Sequence, residues 1–380
     1  MKKNKSLIFQ FITWKIFLTL SALLAVFWLP LGCGLTNLSG TDFFTNFARM
    51  WSNFDGVHYL TIANYGYEIV GKTNLLFAFF PVYPWLVKTL NYLVNDMVVS
   101  GLLVSNLAFF ASLFFLYKLF LLDYKNKIAR LALLLILIFP TSFFFGSVYT
   151  EGVFFLLSVL TYYSARKNQF FLACLFAALA SATRVTGIFL WPALVIEFYL
   201  IHGKKLKESL KPELIWLALP PLGLLSFMRF QYLKTGSTLS FISSQAIIGT
   251  SRFVDKMILP HQIFYRYIKM IFFMDRGDPL FFTILLEFLC GLAILTLLVA
   301  GLKKIRPSYW LYIFLSFLLP TLTGTFSGLP RYTVALFPLF GYFASILDKT
   351  HPYLRYFYYA ISVGFSILAV SFFTRGYFVG

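Results

Sequence analysis

Long apolar runs dominate this chain and constrain its fold more than any other feature. Of its 380 residues, 59% are hydrophobic and only 12% are charged, which leaves too little polar surface for a soluble globule. Each run has roughly 20 residues, the length of a helix that crosses a hydrocarbon core of about 30 Å. Helices also satisfy backbone hydrogen bonds within lipid. The sequence therefore predicts an all-α, multi-pass membrane protein.

The runs predict eleven transmembrane helices. The expected spans are 13–33, 98–120, 130–148, 152–165, 170–186, 187–201, 213–232, 281–301, 308–325, 332–347 and 354–373. Segment 76–95 is apolar too, but it contains Pro81 and Pro84, and a span here would reverse the side of every later connector. We interpret it as an interfacial or re-entrant part of a long outer loop, roughly 34–97, that bears interfacial helices.

The basic residues fix the expected orientation. Clusters of them lie in connectors between apolar runs, at 123–127, 166–167, 204–207, 303–306 and 349–355. With the N-terminal lysines in the cytoplasm, all these connectors fall on the cytoplasmic side, as the positive-inside rule requires. The net charge of +18 is thereby explained by topology, without a nucleic-acid partner. We expect a plasma-membrane protein in a prokaryote and an endoplasmic-reticulum protein in a eukaryote.

Residues 1–380 are predicted to form a single membrane domain, with a second outer loop over about 234–279. Charged residues in that loop are either part of an acceptor pocket or solvated; they are Arg252, Lys256, Asp275, Arg276 and Asp278. The chain has three widely separated cysteines and no phosphate-cradling glycine loop, dinucleotide fingerprint or paired-acid motif. We therefore expect no cofactor and no metal, although Asp275 and Asp278 leave a metal open.

Four short motifs place polar residues at the outer ends of the predicted helices. They are Asn53–Tyr59, which contains Asp55 and His58; Phe139–Glu151, which contains Tyr149; Thr183–Gly187, which contains Arg184; and Leu329–Tyr332, which contains Arg331. Charged side chains in or against a bilayer are costly and tend to mark sites or pathways. Their convergence on one face predicts a functional site away from the cytoplasm.

In order and spacing, these motifs resemble the PIG-V-like mannosyltransferase family, which includes GPI mannosyltransferase II and its prokaryotic relatives. That family belongs to the GT-C glycosyltransferases, which take sugar from a polyprenyl-phosphate donor. The resemblance covers about 50–90, 139–190 and 326–340. It departs from the family pattern at Phe54, where the family usually has tryptophan. It implies a GT-C helical bundle that transfers mannose, with inversion, to a lipid- or glycan-linked acceptor.

The resemblance also implies roles for individual residues. Asp55 would be the general base that takes the acceptor's proton. Arg331, and less directly Arg184, would bind the donor phosphate, because guanidinium groups pair with phosphate oxygens at any relevant pH. The substrate-binding residues would be His58, Tyr149 and Glu151.

Each of these residues also has a structural interpretation that the sequence leaves open. An Asp before Gly is an ordinary turn residue, Glu151 suits the start of a helix, and Arg184 can simply extend to the membrane surface. The main functional alternative is a lipid or sugar transporter or flippase. A transporter would favour polar groups near mid-membrane in related halves of the chain, whereas here Glu287 is the main such residue.

Overall fold

Helices make up the computed structural model, which describes residues 2–32, 43–67, 75–203, 212–247 and 258–380. The α-helices are α1 Lys2–Trp28, α2 Phe43–Arg49, α3 Asp55–Tyr65, α4 Val82–Val94, α5 Met97–Asp123, α6 Asn126–Leu137, α7 Glu151–Arg166, α8 Phe170–Ser181, α9 Leu190–His202, α10 Leu219–Thr235, α11 Ser240–Ile247, α12 Pro260–Phe273, α13 Pro279–Gly301, α14 Pro307–Leu322, α15 Leu329–Ala335, α16 Phe337–Leu347 and α17 Pro352–Thr374. Short 3₁₀ helices occupy Leu75–Ala78, Ser142–Gly146, Val185–Phe189 and Pro212–Ala218. No strand occurs within these ranges, which confirms the predicted all-α class.

The bundle has two ends, defined by the parallel helices α5 and α7. Near their starts, a Cβ on Gly152 would lie 2.6 Å from the Ser105 carbonyl oxygen, so only glycine allows this close approach. At their other ends, Arg166 pairs with Asp123 at 2.7 Å. We call the end that holds the start of α7 the site end, and the end that holds Asp123 and Arg166 the far end.

Six described helical segments are long and apolar enough to cross a membrane. They are Ser6–Trp28, Met97–Asp123, Val185–His202, Pro212–Thr235, Pro279–Gly301 and Pro352–Thr374. Phe170–Ser181, Pro307–Leu322 and Phe337–Leu347 are apolar but shorter. The multi-pass prediction is confirmed, while the count of eleven spans stays a prediction.

Several predicted spans are interrupted in the structure, and the interruptions have local causes. The predicted span 130–148 contains α6 only as far as Leu137, because Pro140 cannot continue the helix, and the chain goes on as a 3₁₀ turn. The predicted span 332–347 is divided at Leu336, two residues before Pro338. These breaks lie at the site end.

The ambiguous segment 76–95 forms α4, which has 13 residues. A helix of that length extends about 20 Å, short of the roughly 30 Å hydrocarbon core. Its outward face carries Trp85, Tyr92 and Leu93, all exposed. This geometry suits the interfacial assignment, and the outer-loop boundaries stay predictions.

The far end gathers the basic connectors among the described residues. Lys127 pairs with Asp348 at 2.7 Å, and Glu197, fully buried, accepts two hydrogen bonds from Arg306 Nε and Nη2 at 2.8 and 2.7 Å. Connector 204–207 lies outside the described residues, as do Arg252 and Lys256. The connectors therefore share one end, as the sequence predicts, and the compartment they face stays a prediction.

We expect single cysteines at the two ends to react from opposite sides of the membrane. Asn95 follows α4 at the site end, and Asn168 follows α7 at the far end; both are exposed. In a background with Cys33, Cys174 and Cys290 changed to serine, Asn95→Cys should react with an impermeant maleimide from outside. Asn168→Cys should react only after permeabilisation. Labelling of both from the same side would contradict the topology.

Candidate active site

Four charged side chains form a continuous ion-paired chain at the site end, in alternating order of sign. Asp55 Oδ2 lies 2.6 Å from Arg331 Nη1, and Arg331 Nε lies 2.9 Å from Glu151 Oε1. Glu151 pairs in turn with Arg184, whose guanidinium also donates to the Thr150 hydroxyl at 3.2 Å. All four of these charges were singled out from the sequence motifs, and the structure brings them together.

The residues of this chain differ in their access to solvent. The Glu151 side chain is fully buried, whereas the side chains of Asp55 and Arg331 are 21% and 14% exposed. Glu151 bridges the two arginines from the first turn of α7 and leaves Asp55 and Arg331 at the open side. A small molecule can therefore reach Asp55 and Arg331 more readily than Glu151.

Asp55 is held by an unusual backbone turn at the start of α3. The preceding Phe54 has φ 55°, a left-handed conformation that bulky side chains rarely adopt. Asn53 stabilises this turn, since its side-chain amide donates to the Phe373 carbonyl at 2.8 Å. Its own carbonyl accepts from the Tyr149 hydroxyl, also at 2.8 Å. Strain of this kind is characteristic of functional positions.

Tyr149, predicted to bind substrate, lies beneath the charged chain. Its side chain is almost completely buried, and its hydroxyl donates its hydrogen bond to the Asn53 carbonyl. Its ring faces the Arg331 guanidinium at 5.3 Å, and the ring of Phe144 lies 5.5 Å from the same group. Cation–π contacts of this kind favour the charged guanidinium in an apolar setting.

His58 lies one turn after Asp55 on α3, with its ring stacked on Phe79 at 4.9 Å. Burial lowers the pKa of His58, and the Asp55 carboxylate offsets part of that effect. The imidazole is therefore neutral at pH 7, with one N–H donor and one acceptor nitrogen. Its position one turn after Asp55 puts it on the same helix and near the same carboxylate.

Sequence reasoning missed one side chain that supports this site. Lys15 of α1 donates to the Gly146 carbonyl at 3.4 Å and lies 5.3 Å from the centre of the Trp51 ring. It therefore lies against both segments that lead into the site, the Trp51 ring before Asp55 and the Gly146 backbone before Glu151. An isolated lysine inside an apolar helix was the available signal.

The two acids that left a metal open in the sequence, Asp275 and Asp278, each accept a hydrogen bond from a nearby backbone amide. Asp275 accepts from the Gly277 amide at 2.9 Å, and Asp278 caps α13 through the Leu280 amide at 2.8 Å. Within the described ranges, no group of three or more His, Cys, Asp or Glu side chains is placed to hold a metal ion.

Comparison with known proteins relates part of the chain to a glycosyltransferase family. A family model described as dolichyl-phosphate-mannose-protein mannosyltransferase matches residues 80–231. This range contains Tyr149, Glu151 and Arg184 but not Asp55 or Arg331. No curated protein matches the chain in sequence.

Among solved structures, the chain is similar to ArnT from Cupriavidus metallidurans bound to undecaprenyl phosphate. The TM-score is 0.54 at 13% identity, and the match covers 94% of this chain and 62% of that one. An oligosaccharyltransferase from Archaeoglobus fulgidus, in complex with Zn and sulfate, also matches, with TM-score 0.45 and 18% identity, over 96% of this chain and 53% of that one.

The ArnT match shows the fold. This chain has a GT-C type helical fold, as the motif resemblance implied. It spans about three fifths of the length of the ArnT chain. The narrower resemblance to the PIG-V-like family stays a prediction.

Burial of Glu151 between two arginines predicts that it contributes more to stability than Asp55 does. Breaking a buried ion pair by removing one partner costs about 3–5 kcal/mol, whereas a partly exposed pair contributes about 1 kcal/mol or less. Glu151→Gln should therefore lower the unfolding temperature of the purified protein well below that of Asp55→Asn. Equal unfolding temperatures would show that Glu151 is not the centre of the chain.

Proposed function

We propose that this protein is an inverting glycosyltransferase that moves a sugar from a polyprenyl-phosphate donor to a lipid- or glycan-linked acceptor on the extracytoplasmic face. The sugar we propose is mannose, on the strength of the motif resemblance. The observation that carries the proposal is the direct pairing of Asp55 with Arg331 at the open side of the charged chain. One group can accept a proton and the other can bind a phosphate, and they lie in hydrogen-bonding contact.

Asp55 supplies what the acceptor needs. The acceptor hydroxyl oxygen attacks the anomeric carbon from the side opposite the phosphate, and the bond from that carbon to the phosphate oxygen breaks. The hydroxyl proton passes to Asp55 as the new bond forms. Because a phosphate is a good leaving group at neutral pH, no acid partner is required, and one carboxylate suffices.

Arg331 supplies what the leaving group needs. The departing polyprenyl phosphate gains negative charge as its bond to the sugar breaks, and a preorganised guanidinium stabilises that charge. Arg184 pairs with Glu151, which also contacts Arg331, and so adds a second positive charge near the leaving group. We propose that His58 contacts the acceptor or the donor phosphate through its N–H. Tyr149 would form the aromatic floor of the site, and Glu151 would align both arginines.

The donor phosphate and Asp55 compete for the same guanidinium. Arg331 already bonds Asp55 through Nη1 and lies against Glu151 through Nε. Binding of a phosphate to Arg331 would weaken its bond to Asp55, which frees the carboxylate to accept a proton. Loss of the carboxylate charge at position 55 should therefore leave donor binding unchanged or make it tighter.

The direct test of function is transfer by the purified protein. It should move radiolabelled mannose from polyprenyl-phosphate mannose to an acceptor in a lipid extract of its native membranes. Parallel assays with polyprenyl-phosphate glucose and polyprenyl-phosphate galactose would show which sugar the protein transfers. A transporter would move lipid-linked sugar across proteoliposomes without forming a new glycosidic bond, so transport without transfer would refute the proposal.

Asp55→Asn should reduce turnover by about 10²–10⁴-fold, because asparagine cannot take the proton. Donor binding should be parental or tighter, and the unfolding temperature should change little. This combination separates catalysis from a turn role, in which asparagine adopts the same backbone conformations. Parental transfer rates would remove Asp55 from the mechanism.

Arg331→Lys keeps the charge but loses the planar pair of donors, so affinity for the donor should fall by about 1–3 kcal/mol. The measurement is equilibrium binding of polyprenyl-phosphate mannose to protein in lipid nanodiscs, without acceptor. The control is Lys269→Arg on the outer helix α12, a substitution in the opposite direction. This variant should bind the donor as the parent does. Undiminished donor affinity in Arg331→Lys would place the phosphate elsewhere.

A further inference from the structure

A second buried carboxylate, Glu287, lies outside the chain of four charges. It is two turns into α13 and only 3% exposed. A carboxylate at such depth is costly unless it is hydrogen-bonded. Both of its oxygens accept hydrogen bonds: Oε2 from the Tyr267 hydroxyl at 2.5 Å, and Oε1 from the Gly328 amide at 3.3 Å.

Tyr267 also contacts the segment that precedes α15. Its hydroxyl oxygen accepts from the Phe326 amide at 3.0 Å and lies 3.1 Å from the Thr325 hydroxyl. Its ring packs against Phe326 with 5.0 Å between centroids. Burial is the main cause that raises the pKa of Tyr267, and the nearby Glu287 carboxylate raises it further. The hydroxyl therefore keeps the proton that it donates.

Segment 322–328 depends on such external bonds for its position. Gly324 and Gly328 have φ of 86° and 80°, a left-handed backbone that glycine adopts readily. Helix α12 supplies further bonds, since Arg266 Nη1 donates to the Gly324 carbonyl at 3.2 Å and the Ile258 amide just before α12 donates to Leu322 at 3.1 Å. The second predicted outer loop is thus attached to this segment.

Helix α15 begins directly after Gly328 and has only seven residues. Arg331 lies in its first turn, so the position of Gly328 determines where the guanidinium lies. On the other side, the Thr141 hydroxyl donates to the Pro330 carbonyl at 2.8 Å. The start of α15 is therefore held between Glu287 and Thr141.

We propose that Glu287 and Tyr267 are positioning residues for Arg331. By fixing the start of α15, they place the guanidinium where it meets Asp55, Glu151 and, if the proposed function holds, the donor phosphate. This role gives the second outer loop a part in donor binding through α12. It also gives Glu287 a role in the proposed enzyme, although in the sequence this acid was the main feature that favoured a transporter.

Two substitutions isolate this role. Glu287→Gln keeps the size of the side chain but has only one acceptor oxygen, so either Tyr267 or Gly328 loses its partner. Tyr267→Phe removes the hydroxyl alone. Each variant should weaken binding of undecaprenyl phosphate to the protein in nanodiscs by about 5- to 50-fold. In an Arg331→Ala background, neither should weaken it further, because the group they position is absent.

Thr283→Val is the matched control. Thr283 lies one turn before Glu287 on α13, and its buried hydroxyl donates to the Phe378 carbonyl at 2.8 Å. Its loss removes one hydrogen bond from the same helix without touching segment 322–328, so lipid binding should remain parental. If Glu287→Gln does not fold, Tyr267→Phe alone decides the question.

The outcomes are distinct. Unchanged binding in both variants would refute the positioning role, as would equal weakening with and without Arg331. Failure of the parent to bind undecaprenyl phosphate would instead refute the proposed function, and with it this role. Weakening that vanishes in the Arg331→Ala background supports both.

Discussion

The chain Asp55–Arg331–Glu151–Arg184 is the interaction on which the site end depends. A charge buried without a partner costs several kcal/mol, so these groups stabilise the fold only when they meet. They come from α3, α15, α7 and the turn after α8, and Asp55 and Arg331 are 276 positions apart. Each charge is therefore paired only when segments distant in sequence meet, which couples the geometry of the site to the fold.

The carboxylates at the far end are also paired with arginines, but their hydrogen bonding is more complete. There Glu197 accepts from Arg306 and from the Ser308 hydroxyl, and Asp123 accepts through both oxygens from Arg166. Asp55, by contrast, is bonded through one oxygen to a single arginine. The two far-end carboxylates thus accept through both oxygens, whereas Asp55 at the site end has capacity left to accept a further hydrogen bond.

The sequence predicted that four of these charged residues would lie at one end of the bundle, because the positive-inside rule and the apolar runs together place helix ends. Once the basic connectors share one side, Asp55, Glu151, Arg184 and Arg331 must share the other. It did not predict that Arg331 pairs with Asp55, because helix ends alone do not determine the direction of side chains. The roles of Lys15 and Glu287 were missed because each lies within an apolar run, and the sequence does not show which residues pack against it.

The interrupted helices explain why the site lies where it does. Backbone that is not helical is tolerated at membrane depth only where protein covers it, and here the 3₁₀ turns Ser142–Gly146 and Val185–Phe189 flank Glu151 and Arg184. Phe143, Phe144 and Phe145 cover the first of these turns and are essentially buried. The breaks that shorten the predicted spans thus give the chain the sharp turns from which its charged side chains converge. These aromatic side chains shield that irregular backbone from lipid.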